Sequence, residues 1–242
     1  MLIPSIDLMG GRIVQLVQGE TLKLAFDDFE YWMERFSKYP LVQLIDLDAA
    51  LRQGENRKLI EMICRRLPCQ VGGGLRTAED GKTLLDAGAR RVIYGSSLFG
   101  TQSSHEAVND GASGSSRRHK LIRLEFAEGL KRTLGEDTLV FSVDTKGGRV
   151  AVKGWKESVD LTPEEAVTWL EDCCSAFLYT HVDTEGTMQG FPLEVAAVLR
   201  ACTAKQLIVA GGIRERSEVE ALDAMGVDAV AGMAVYSGAM EA

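Results

Sequence analysis

The chain has no run of about 18 consecutive apolar residues, the length a bilayer-crossing helix requires. It is short of histidine, with three in all, and none stands at ligand spacing from another histidine or a cysteine, so no metal site is indicated. The five cysteines, Cys64, Cys69, Cys173, Cys174 and Cys202, are odd in number and include no CxxC pair. That is the pattern of reduced, mostly buried thiols rather than of a disulfide framework or a redox centre. Positive charge is in the minority: 27 Lys and Arg against 35 Asp and Glu leave a formal net charge of -8. A field of that sign repels nucleic acid and anionic membranes, so neither is an expected partner, and a phosphate on any ligand must be held by local groups. Met1 leads straight into a strand-like run with no basic segment or cleavage site, which makes the cytoplasm the expected address.

What the chain does have is a repeat. Ser5-Ile6-Asp7-Leu8-Met9-Gly10-Gly11-Arg12-Ile13 returns 137 residues later as Ser142-Val143-Asp144-Thr145-Lys146-Gly147-Gly148-Arg149-Val150. Val71-Gly72-Gly73-Gly74-Leu75-Arg76 returns 138 residues later as Val209-Ala210-Gly211-Gly212-Ile213-Arg214. Weaker echoes set Ile45-Asp46 against Val182-Asp183 and Gly95 against Gly232. Landmarks in one order and one register imply two homologous halves.

Each half reads as four strand-then-helix units. Short apolar runs lie near Leu2–Ile6, Leu41–Leu47, Cys69–Val71, Arg91–Tyr94, Leu139–Val143, Ala176–Tyr179, Gln206–Val209 and Ala229–Ala231. Helical periodicity falls between them, for example over Phe29–Tyr39, Arg57–Leu67, Ala78–Ala87, Pro163–Cys173 and Ser217–Met225. Strands apolar on both faces and alternating with helices predict a parallel sheet, and eight such units in two equal halves close into a (β/α)8 barrel. The 242 residues suit one such domain, and a doubly wound open sheet is the alternative. Residues 100–118, rich in Gly and Ser, break the rhythm and read as a flexible surface insertion ahead of a helix from about Lys120 to Leu134.

In a barrel the ligand sits at the C-terminal ends of the strands, so the polar residues that end an apolar run matter most. Asp7 and Asp144 do so in equivalent places, each before a Gly-Gly that lets a loop fold closely over the site. Two carboxylates facing each other across a bound sugar can take a proton from carbon and give one to oxygen. Either aspartate alone could simply cap a turn; their duplication favours function. Gly73 and Gly74 with Gly211 and Gly212, and Gly95 with Ser96 and Gly232 with Met233, offer bare backbone amides as two phosphate cups, which implies a small-molecule substrate with two phosphates. Arg76 lies just beyond one cup. Trp155, in a Gly-flanked segment, suits stacking on a heteroaromatic ring, whereas Trp32 and Trp169 fall within helical periodicity. Thr180 ends the sixth strand, beside a polar cluster of His181, Asp183 and Glu185.

These segments resemble the ProFAR isomerase family of histidine biosynthesis, whose substrate is phosphoribosylformimino-5-aminoimidazole carboxamide ribotide. The likeness runs through Ile6-Asp7-Leu8, Gly11 with Gln18-Gly19, Ile45-Asp46-Leu47-Asp48, Gln70-Val71-Gly72-Gly73-Gly74, Val143-Asp144, Gly154-Trp155, Tyr179-Thr180, Glu185-Gly186-Thr187 and Gly211-Gly212. The resemblance implies a cofactor-free Amadori rearrangement in a monomer, with Asp7 as general base, Asp144 as general acid and Thr180 beside that acid. Gln18, Asp46, Arg76, Trp155 and His181 are the expected substrate contacts. The family usually has Asp at His181 and Arg at Gln15, and the first difference speaks against a dual enzyme that also isomerises phosphoribosyl anthranilate. The related imidazole glycerol phosphate synthase cyclase would carry a lysine soon after the first aspartate, where Leu8 and Met9 stand. A barrel that binds sugar phosphate without turnover is the alternative of a different class.

Overall fold

In the computed structural model, which describes residues 1–100 and 120–241, the eight expected strands close into a barrel. The staves are β1 (Leu2–Met9), β4 (Val42–Asp46), β5 (Cys69–Gly72), β6 (Arg91–Tyr94), β7 (Leu139–Lys146), β10 (Ala176–His181), β11 (Gln206–Ala210) and β12 (Val227–Ala231). Each pairs in parallel with the next, and β12 returns to β1 through Leu2 opposite Ala229. Consecutive strand residues point to opposite faces, so each stave sends one set of side chains inward and the other toward the helices. Ile3, Ile93, Val140, Leu178, Ile208 and Val230 fill the interior. Leu44, Val71, Phe141, Phe177 and Val209 face the outer layer. At roughly 1.5–3 kcal/mol for each large apolar side chain fully buried, these two layers hold the barrel together.

The outer helices are α1 (Phe29–Phe36), α2 (Leu47–Leu51), α3 (Arg57–Cys64), α4 (Ala78–Asp86), α5 (Leu124–Leu134), α6 (Pro163–Leu170), α7 (Leu193–Cys202), α8 (Arg216–Ala224) and α9 (Met233–Tyr236). Local chemistry sets their starts. Thr77 with Asp80, and Thr162 with Glu165, form capping boxes on α4 and α6, the second followed by Pro163 in the first turn. The helix expected from Lys120 begins instead at Leu124, because Ile122 bridges to Phe99 in extended conformation. The insertion expected at 100–118 falls, from residue 101 on, outside the described residues.

Two hairpins stand where the sequence led us to expect loops over the site. Gly10-Gly11 joins β1 to β2 (Arg12–Val17), which continues to β3 (Thr21–Phe26); Gly147-Gly148 joins β7 to β8 (Arg149–Val152), which pairs with β9 (Glu157–Ser158). Their φ angles agree within a degree, +58° and +75° against +57° and +75°, the left-handed pair that a two-residue hairpin turn needs. An acid from the neighbouring stave's loop pins each turn: Asp48 accepts from Gly10 N at 2.7 Å and Asp183 from Gly147 N at 2.9 Å.

The lower interior is polar. Arg91 donates to Gln206 (2.6 Å) and Gln70 (2.8 Å), Gln70 to Gln43 (3.0 Å) and Gln206 to Asp228 (2.6 Å). Each buried donor finds an acceptor, and the network ties five staves together beneath the cavity.

Candidate active site

Above that layer the barrel opens into a cavity of about 780 Å³ at the C-terminal ends of the staves. Asp7 from β1 and Asp144 from β7, the first and fifth of eight staves and therefore on opposite sides, both line it. Each is held by the serine two residues earlier on the same inward face: Ser5 Oγ donates to Asp7 Oδ1 at 2.8 Å and Ser142 Oγ to Asp144 Oδ1 at 2.6 Å. The Ser-x-Asp spacing was visible in the repeat, but its meaning appears only once period-two alternation sets both side chains on one face.

The two acids then differ. Asp144 also accepts from the Trp155 indole N–H at 2.8 Å and from Thr180, its cross-strand neighbour. Burial pushes the Asp144 carboxyl above its ordinary range, and these three donors partly offset the effect. Asp7 has the Ser5 bond alone to oppose burial, which pushes its pKa up to about 6. A third carboxyl, Glu185, lines the same cavity. Burial, and then the fields of Asp7 and Asp144, raise it to about 8, so Glu185 holds its proton at neutral pH while Asp7 is mostly ionised. In the sequence Glu185 stands in a polar cluster with no role assigned to it; only the fold shows that it shares a cavity with both aspartates.

Trp155 lines the cavity, and its indole also bonds to Asp144. It sits at φ +64°, after Lys153 at +56° and Gly154 at +66°, with its ring so close to Gly19 that a Cβ there would lie 2.7 Å from the indole. The ring is wedged between the first hairpin and Asp144, where it orients the carboxylate and forms part of the cavity wall.

All eight expected cup residues line the cavity: Gly73, Gly74, Gly95 and Ser96 on one side, Gly211, Gly212, Gly232 and Met233 on the other. The glycines are also required by packing. A Cβ on Gly73 would lie 2.2 Å from Asp46 O, and one on Gly211 2.4 Å from His181 O, both at φ beyond +100°. Gly73→Ala is therefore expected to destabilise the fold by roughly 2–6 kcal/mol, backbone strain and overlap together. Urea unfolding checks this, and a loss below about 1 kcal/mol would show that the loop gives way.

Three expected substrate contacts are not in the cavity wall. Asp46 follows the inward Ile45 and so points outward, where its carboxylate accepts from Ala49 N, Asn56 N and Asn56 Nδ2 at 2.7–3.2 Å and caps α2. His181 follows the inward Thr180 and bonds to Thr184 Oγ1 at 2.8 Å. Gln18 donates from its side chain to Asp183 O at 2.9 Å and from its backbone to Glu185 O at 3.0 Å, holding the first hairpin against the loop that carries Glu185. Arg76 does line the cavity. Among the described residues no cluster of His, Cys, Asp or Glu is arranged to hold a metal ion, and no helix is long and apolar enough to cross a membrane.

Similarity to known proteins points to one family. A family model described as histidine biosynthesis protein matches residues 1–241. A ProFAR isomerase of Methanocaldococcus jannaschii is 31% identical over 250 residues, covering 100% of this chain and 95% of the relative. The chain belongs to the ProFAR isomerase family. Another member, from Thermus thermophilus, is 34% identical over 244 residues, with 98% of this chain and 94% of that one aligned. One from Methanosphaera stadtmanae is 31% identical over 248 residues, covering 98% of this chain and 94% of the relative. Family membership thus spans both halves of the barrel, including both aspartate-bearing staves, rather than one shared motif.

Proposed function

We propose that this chain is a ProFAR isomerase: it converts the aminoaldose end of ProFAR to the corresponding phosphoribulosyl ketose, with no cofactor. The observation that carries the reading is the pair of serine-held carboxylates on opposite staves of one cavity, between two glycine-lined walls. The protonated acid gives its proton to the ribose ring oxygen as the C1′ nitrogen lone pair opens the ring to a Schiff base. Asp7 then removes the C2′ proton, leaving an enol-amine that tautomerises to the keto product, and the proton count is unchanged overall. Asp144 is the acid in this assignment, with Ser142, Trp155 and Thr180 aiming it. A second assignment is favoured by one observation: Glu185 lines the same cavity as both aspartates, and its pKa, pushed up to about 8, keeps it protonated at neutral pH.

Incubation of the purified protein with ProFAR, followed by absorbance, and with phosphoribosyl anthranilate, followed by fluorescence, tests the substrate. Turnover of the first and not the second is expected; turnover of neither contradicts the isomerase reading.

A further inference from the structure

The relation between the halves pairs Arg76 with Arg214 and Asp80 with Glu218, and one methylene breaks it. In both halves the acid accepts the backbone N–H of the arginine, Arg76 N to Asp80 at 2.8 Å and Arg214 N to Glu218 at 3.0 Å. The longer Glu218 also reaches the Arg214 guanidinium, 3.1 Å from Nε, and Glu215 stands 3.6 Å from another of its nitrogens. This cluster packs against Gly190, where a Cβ would lie 2.7 Å from Glu218 Oε1, and Arg214 is absent from the cavity wall. Asp80 is occupied by the N–H groups of Arg76 and Thr77 at the start of α4. The Arg76 guanidinium has no carboxylate within ion-pair distance among the described residues. It donates to the carbonyls of Gly74 (2.8 Å) and Ala49 (3.4 Å), and so stays at the cavity wall.

Three further cations line the cavity without a carboxylate partner among the described residues: Arg52, Lys156, and Arg123, which donates to Ser97 O at 3.1 Å. Lys153, also in the wall, is neutralised by Glu157 at 2.8 Å. All five of these cations come from the loops after the second to fifth staves. The wall built after the seventh and eighth staves, around Gly211, Gly212 and Gly232, contributes none.

We propose that the cavity is electrically polarised along the substrate: the Gly73–Gly95 end is a cationic anchor for a phosphate dianion, and the Gly211–Gly232 end is a neutral backbone cradle. This deepens the isomerase reading, on which it rests for its ligand. An asymmetric bisphosphate is then bound in a single orientation, and a ligand with one phosphate fills the anchor end first. Anchor binding also weakens more steeply with salt than cradle binding, because mobile counter-ions screen the exposed guanidinium and ammonium groups.

The test is titration of inorganic phosphate into glycine-labelled protein, with the amide resonances of Gly73, Gly74 and Gly95 followed separately from those of Gly211, Gly212 and Gly232. In the wild type the first set is expected to shift at about ten-fold lower phosphate than the second, a difference of about 1.4 kcal/mol. Asp80→Glu lets the longer acid capture Arg76, and anchor binding should weaken toward that of the cradle. Glu218→Asp together with Glu215→Gln releases Arg214 from both acids, and cradle binding should strengthen. The two variants shift opposite ends in opposite directions, so loss of fold in one does not imitate the pattern. Equal titration of both sets in the wild type, or no change in either variant, overturns the polarity and leaves the isomerase reading standing. Binding at neither end overturns both.

Discussion

Asp7→Asn is expected to lower ProFAR turnover by about 10²–10⁴-fold, the contribution of a positioned general base, while leaving the fold intact. The amide keeps an oxygen for the Ser5 hydroxyl and nearly the same volume, but it cannot accept a proton from carbon. Stability should move the opposite way to activity. The folded pKa of Asp7, about 6, lies above the value of about 3.9 for an unfolded aspartate. The native state therefore binds the extra proton between those two values, and stability falls as pH rises through that window. At neutral pH the full cost, up to about 3 kcal/mol for a shift of about two units, is in force, and Asn removes it. A variant more stable at pH 7.5 and no longer active, with the gap closing toward pH 4, is the signature of a carboxylate held in the cavity for chemistry. Equal stability of the two proteins at pH 7.5 would show that Asp7 is well solvated.

The second large effect separates the two candidates for the acid. If Asp144 is the donor, Asp144→Asn loses turnover by about 10²–10⁴-fold and Glu185→Gln stays within about ten-fold of the wild type. Asp144→Asn should also disturb Trp155. The carboxylate accepts from Ser142, Trp155 and Thr180, whereas an amide has a single acceptor oxygen and turns an N–H group toward at least one of those donors. A change in tryptophan emission should accompany the kinetic loss. If Glu185 is the donor, Glu185→Gln takes the larger loss and abolishes the alkaline limb of the pH profile of kcat/KM, which the wild type should show near pH 8. An acid limb near pH 6 is expected because Asp7 must be ionised to act, and it should persist in Glu185→Gln. Because the three carboxyls share one cavity, the limbs report the set and only the variants assign them.

Much of this was legible in the sequence, for identifiable reasons. The duplicated Ser-x-Asp-x-x-Gly-Gly segment carries the strand, its inward acid, the serine that holds it and the hairpin turn, because strand alternation and left-handed glycines are local properties. The eight staves were equally legible, since a strand buried on both faces reads as an unbroken apolar run. What could not be read was whether a polar residue at a strand end points in or out. Asp46 and His181 sit beside the inward Ile45 and Thr180, and a shift of one residue puts each against the outer layer, where Asp46 caps a helix and His181 bonds to a threonine. Glu185 lies beyond its stave, just after a short helical turn, where no periodicity announces direction, and its elevated pKa comes from burial in the cavity and then from acids on two other staves. The indole of Trp155 finds Asp144 only because three successive residues take left-handed φ, a conformation that Lys153 and Trp155 do not signal by their chemistry.

The most direct measurement is single-turnover isomerisation of ProFAR carrying deuterium at C2′ of the isomerising sugar, in the wild type and in Asp7→Asn. A primary isotope effect in the wild type, with rate and isotope effect lost together in a folded Asp7→Asn protein, is expected if the β1 carboxylate takes that proton. Wild-type turnover with no isotope effect at any pH, or an Asp7→Asn protein that retains both rate and effect, would contradict it.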